Sequence, residues 1–267
     1  MRDGRVWGSV LLVVIGALLL LNNLGYLAPL GLSAWQLIGP LVLIGLGGWM
    51  LWSSVAAKPR LETATLAIPR GEETAARITL EFGGGVLNVA HGAASDTLLT
   101  GTFGGEVERS ITRAAGQADM HLKTPLDVIL PWEWMSGCRQ TWDILLNESL
   151  PLELVIKTGA SDTTLDLTHL RVTKLTLESG ANSMRVQLPA RAGHTEVRGT
   201  SGMASLSLHV PEGVAARIHT EGGLNSCNVD TERFPRVGQG YESPEYATAP
   251  HRVDIRLEAG ISSLTVR

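Results

Sequence analysis

The chain has 267 residues, a formal net charge of −4, 18% charged and 5% aromatic residues, and two cysteines. With acidic residues in excess and no basic run, this balance excludes a nucleic-acid binder, which needs clustered Lys and Arg against phosphates. The length leaves room for one sizeable domain beside any membrane segment.

From Val6 to Ala57 there is no Asp, Glu, Lys or Arg, and Asn22-Asn23-Leu24-Gly25 interrupts the run near its middle. Val6–Leu21 and Trp35–Trp52 are each close to one bilayer thickness when helical, so residues 1–57 are expected to form a transmembrane hairpin with spans at about 6–21 and 35–52. A cleaved signal peptide would lack the second apolar run. A pair of soluble core helices would show a polar stripe. Trp7, Tyr26, Trp35, Trp49 and Trp52 fall near the ends, where amphipathic rings favour the headgroup layer. Arg2 and Arg5 precede the hairpin, Lys58 and Arg60 follow it, and the turn carries no cation. This places both termini, and the domain after them, on the cytoplasmic side of a cell membrane. No polybasic segment flanks Lys58, so the sequence offers no specific anionic-lipid motif there.

Residues 58–76 read as a linker and 77–267 as a β-repeat domain, because helical periodicity is absent there and short alternating runs recur. The repeat is a glycine between two alternating strands, clearest in LTLESGANSMRVQL, with Leu175, Leu177, Met184, Val186 and Leu188 on one face about Gly180. Copies at a period near 21 residues centre on Gly159, Gly202 and Gly223, an early copy on Gly83 and a final one on Gly260. A fixed period with one inward row per strand predicts a parallel β-solenoid, in which each coil covers its neighbour. An antiparallel β-sandwich is the alternative with the same strand spacing. The six glycines are expected at corners, with positive φ.

Two stretches interrupt the repeat. Residues 230–250 form a Pro- and Gly-rich loop insertion, and PWEWMSGCRQTW spans 131–142. Trp142 alternates with Ile144 and Leu146 and is expected in the core. Trp132 and Trp134, with Phe234, Tyr241 and Tyr246 of the insertion, are aromatic groups outside the repeat frame and form the expected partner-binding set. A cap over an open coil end is the competing role for the two tryptophans. The seven histidines show no ligand spacing, and no CxxC, HExxH, GxSxG or SxxK is present, so no metal, cofactor or enzymatic activity is expected. Cys227 holds the repeat position of Met184 and Leu206 and is expected to be a small buried hydrophobe.

The opening RVWGSVLLVVIGALLLLNNLG, the central LPLELVIKTGASDTTLDLTHLRVTKLTLESGANSMRVQLP and the closing DIRLEAGISSLTV together resemble the LiaF-like family of bacterial cell-wall-antibiotic-response proteins. The hairpin is similar to the LiaI/LiaF-type transmembrane region, and the rest to that family's toast-rack or adhesin-like domain. The resemblance implies a membrane-bound modulator that restrains a sensor kinase until the envelope is stressed. Two further readings stand beside it: a membrane-attached scaffold that self-assembles as a homo-oligomer through its coil ends, and, with the opposite topology, an outward-facing binder of envelope polymers.

Overall fold

The computed structural model describes residues 63–125, 140–180, 182–200, 202, 205–221, 226–258, 260 and 263–267. The hairpin expected over 1–57, the loop bearing Trp132 and Trp134, and Gly223 lie outside these residues.

All regular structure among the described residues is β-strand, as short runs rich in Leu, Val, Ile and Thr dictate. The N-terminal strands are β1 (Thr63–Pro69), the long β2 (Ala75–His91), β3 (Thr97–Gly104), β4 (Glu108–Ala114), β5 (Gln117–Lys123) and β6 (Gln140–Leu146). The centre holds β7 (Pro151–Asp166), β8 (Arg171–Ser179), β9 (Ser183–Gln187), β10 (His194–Thr200) and β11 (Ser205–His209). The last are β12 (Ala215–Glu221), β13 (Ser226–Val229), β14 (Arg236–Val237), β15 (Gly240–Glu242), β16 (Arg252–Glu258) and β17 (Ser263–Val266). Part of the stretch expected as linker is therefore strand. β1 pairs antiparallel with β3 and buries Ile68, because the chain enters the sheet before the repeat begins.

One 17-stranded mixed sheet passes through β2 and β7 and doubles over at their glycine corners into two facing layers. In the first layer the order is β4, β5, β2, β7, β8, β10, β16, β12, β15, β14, parallel from β5 to β12. In the second it is β1, β3, β6, β2, β7, β9, β11, β17, β13, parallel from β6 to β13. The stack is thus solenoid-like at its centre, and antiparallel pairs close its flanks.

Register makes the core. Met120, Ile78, Leu154, Leu175, Val197, Ile255 and Ile218 line up across the first layer and are fully buried. Each such side chain contributes about 1.5–3 kcal/mol relative to exposure. In the second layer Trp142 packs between Phe82 and Phe103, with both ring centroids 5.1 Å away, and it is buried as its alternation predicted.

Sequence order and stacking order agree for β7 to β11 and diverge outside it. β5 and β6 lie on one side of β2, so β7 returns to the other side. The final copy, β16 and β17, sits between the β10–β11 coil and the β12–β13 coil, not beyond them. The 230–250 insertion supplies the length for that return.

The corner glycines need a second correction. Only Gly260 has the expected positive φ, at 83°; Gly83, Gly159, Gly180 and Gly202 do not. For Gly159, Gly180 and Gly202 the constraint is coil-to-coil approach, whereas a Cβ on Gly83 would meet nothing within 4 Å. A Cβ on Gly159 would drive into the Gly83 carbonyl oxygen, and one on Gly180 or Gly202 would sit 3.2 or 3.3 Å from the carbonyl oxygen of Gly159 or Gly180.

Candidate functional site

The aromatic groups of the insertion are not a contact surface. Phe234 is 0% exposed and Tyr246 6%, while Tyr241 packs half-buried against the core. The local chemistry explains the inward turn. Asp230 accepts backbone hydrogen bonds from Glu232 and Arg233 on its carboxylate and from Phe234 on its carbonyl, which winds the chain back. Arg233 donates to the carbonyls of Val210 and Pro211 and fixes that turn on the stack. Ser243 holds the other limb, accepting the Ala216 N–H on its hydroxyl and donating its own N–H to the Ala216 carbonyl. Burial pushes the Tyr246 phenol up, Asp254 adds to the shift, and the Arg217 guanidinium lies 4.1 Å over its ring. The insertion is therefore a cap over β12. Aromatic residues outside the repeat frame marked the place where the core has to be closed.

Cys227, expected to be buried, is exposed. It lies on β13, the outermost strand of its layer, which among the described residues pairs only with β17, so no further coil of these residues covers it. Its partial burial still pushes the thiol above its ordinary value, and a hydrogen bond with Tyr241 acts in the opposite direction.

The two outer faces differ in chemistry. The first layer carries paired charges. Arg77 donates to Glu153 at 2.7 and 2.9 Å, Lys157 lies 3.9 Å from Glu81 and 3.4 Å from Glu178, and Arg198 meets Glu196 at 2.7 Å. The hydrogen bond with Glu153 raises the Arg77 guanidinium, and that from Arg198 lowers the Glu196 carboxyl. The outer face of the second layer carries Asp143 on β6, Asp162 and Asp166 on β7 and Arg185 on β9, and turns mainly to hydroxyl and amide side chains across β11, β17 and β13. One outward row runs through Asn88, Thr164, Arg185, Ser207, Thr265 and Asn228, and beside it Ser183, Ser205, Ser263 and Ser226 occupy four successive coils. Ser205 donates to the Ser183 hydroxyl at 2.9 Å, tying two coils together across this face.

A third feature is an open cleft of about 310 Å³ at the N-terminal end of the stack, between the edge strands β1 and β4. Among the described residues no group of His, Cys, Asp and Glu could hold a metal ion. His91 meets Glu148 at 3.0 Å and packs edge-on against His169 with ring centroids 4.4 Å apart, a surface cluster.

The surface row was hidden in the sequence, since each strand contributes one polar residue and only the stacking order aligns them. Ser and Thr at alternate positions of successive copies were the available signal.

A family model described as the N-terminal domain of toast_rack, DUF2154, matches residues 57–209. Its range ends at the last residue of β11, so the final two coil copies and their cap lie beyond it. Among solved structures, a chain from Clostridium sporogenes provisionally named as a cell adhesion protein has the same fold, with a TM-score of 0.69 at 19% identity. The likeness covers 77% of this chain and 98% of that one. No curated protein matches significantly.

Proposed function

Starting from a chain that belongs to the family of the toast_rack N-terminal domain, DUF2154, we propose a non-catalytic, membrane-anchored regulatory protein of the bacterial envelope, of the LiaF-like type. Its β domain engages a protein partner such as a sensor kinase on the cytoplasmic side. One observation carries this reading: an uncharged run over 6–57 leads within a few residues into a β stack whose second layer presents an uncharged, hydroxyl- and amide-rich patch across β11, β17 and β13.

The patch suits a partner because interface centres are depleted of charge, and hydroxyl and amide groups cost less to desolvate than ions.

The test is photo-crosslinking in cells, with the reactive residue at Ser207 of the uncharged patch or at Thr176 of the charged face. A single membrane partner recovered from Ser207 alone supports the proposal; matching profiles from both positions overturn it. Topology is read from exposed Cys227 in a Cys138→Ser chain. Labelling by an impermeant maleimide only after lysis supports the cytoplasmic side, and labelling of intact cells turns the search to envelope polymers.

The side of β13 left unpaired among the described residues favours a second reading, self-assembly by strand addition. Sedimentation of the full chain in detergent that shows no growth with concentration removes it.

A further inference from the structure

The two ends of the stack are chemically unlike. The β12–β13 end carries the capping insertion and the neutral Ser226, Cys227 and Asn228. The β1–β4 end is open, and its cleft is lined by Ala67, Ile68 and Pro69 from β1 and by Arg109, Ile111 and Arg113 from β4. Alternation puts the two arginines and Ile111 on one face of β4.

The guanidinia are held differently. Arg113 reaches across the cleft, donating to the Pro69 carbonyl at 2.8 Å and lying 3.6 Å from the buried Glu73 carboxylate. That carboxylate accepts the Gly71 N–H, so it is fixed in turn. Arg109 is exposed and has no hydrogen bond or ion pair among the described residues. The cleft thus carries one guanidinium anchored beside a carboxylate and one, that of Arg109, with no partner among the described residues, over apolar Ile68 and Ile111. Its volume is at the lower end of the range for small-ligand sites.

We propose that this cleft takes the phosphodiester headgroup of an anionic lipid, so that the β1–β4 end of the stack rests on the bilayer. A planar guanidinium fork matches phosphate oxygens, and the apolar residues beside it suit the glycerol and acyl boundary. β1 is the first strand after the hairpin, ten residues (53–62) or at most about 35 Å of chain beyond Trp52, so the cleft it lines is the part of the β domain reached first along the chain. The site was invisible as a polybasic motif because its cations come from β4, far along the chain from the hairpin.

The inference rests on the membrane-anchor reading, and the test separates the two. The full-length chain, with Cys138→Ser, Cys227→Ser and Ser110→Cys, is reconstituted with phosphatidylcholine alone or mixed with phosphatidylglycerol. Ser110 lies on the opposite face of β4 from the arginines. The expected result is maleimide labelling of the new thiol about five-fold slower with phosphatidylglycerol, the slowing being lost in Arg109→Gln and largely kept in Arg109→Lys. Equal rates in both lipids, or slowing that survives Arg109→Gln, overturn the cleft. Slowing by inorganic phosphate in phosphatidylcholine alone reassigns it to a soluble anion and overturns the lipid. Release of the chain by alkaline carbonate overturns the anchor and the tether argument with it; retention with headgroup-independent labelling overturns the cleft alone.

Discussion

At Gly159 the stacking leaves no room for a side chain, since an added Cβ would enter the carbonyl oxygen of Gly83 directly across the coil interface. Gly159→Ala is expected to destabilise the domain by about 1–3 kcal/mol, the usual cost of overpacking, whereas Gly180→Ala meets its neighbour at 3.2 Å and costs less. Thermal or denaturant unfolding of the pair checks the order. Cys227 offers a second test. Burial raises its thiol above the ordinary value, with the Tyr241 hydrogen bond opposing, so less thiolate is present at neutral pH than for a free thiol. Alkylation of Cys227 in a Cys138→Ser chain should be slower than that of a free cysteine at pH 7, and its rate should keep rising beyond the pH at which the free thiol levels off. The corner glycines were legible in the sequence as corners. Their reason was not, because the same letter serves both a left-handed turn and a close backbone approach.

Among the elements, the insertion shows what separates packing from surface electrostatics. Its attachment to β12 uses the Arg217–Glu242 pair at 2.7 Å, whose side chains are 37% and 29% exposed, and the fully buried Phe234 ring. A part-exposed ion pair contributes under about 1 kcal/mol, while truncating a buried aromatic costs about 3–5 kcal/mol. Glu242→Gln should therefore leave the melting temperature nearly unchanged, and Phe234→Ala should lower it by many degrees. Strand positions in the repeat were readable because apolar alternation is set locally. The cap was not, because Phe234 and Tyr246 sit on irregular backbone where no period tells inside from outside. Trp142 was readable for the converse reason: Ile144 and Leu146 repeat its spacing on a strand.

For the whole molecule, the stacking order carries the information that the repeat period lacks. Any copy of the repeat presents a similar apolar row, so the sequence identifies the coils without naming their neighbours; connection length decides that. Arg252–Arg267 pairs on both sides in both layers. Deleting it should abolish the cooperative unfolding transition and protease resistance of the β domain, where loss of a true end coil would leave a shortened folded stack. Circular dichroism melts and limited proteolysis of the deletion distinguish these results. The serine row was equally hidden, since Ser183, Ser205, Ser263 and Ser226 come together only in this order.

The interleaved final coil also orders events during synthesis. While the chain is still being made, the slot between the β10–β11 coil and the β12–β13 coil has no occupant, and the strands that flank it have no partner on that side. That slot is filled only by residues 252–267, which are made after both of the coils that flank it. A product that terminates between Val229 and Arg252 carries an unfilled apolar gap, open to proteases.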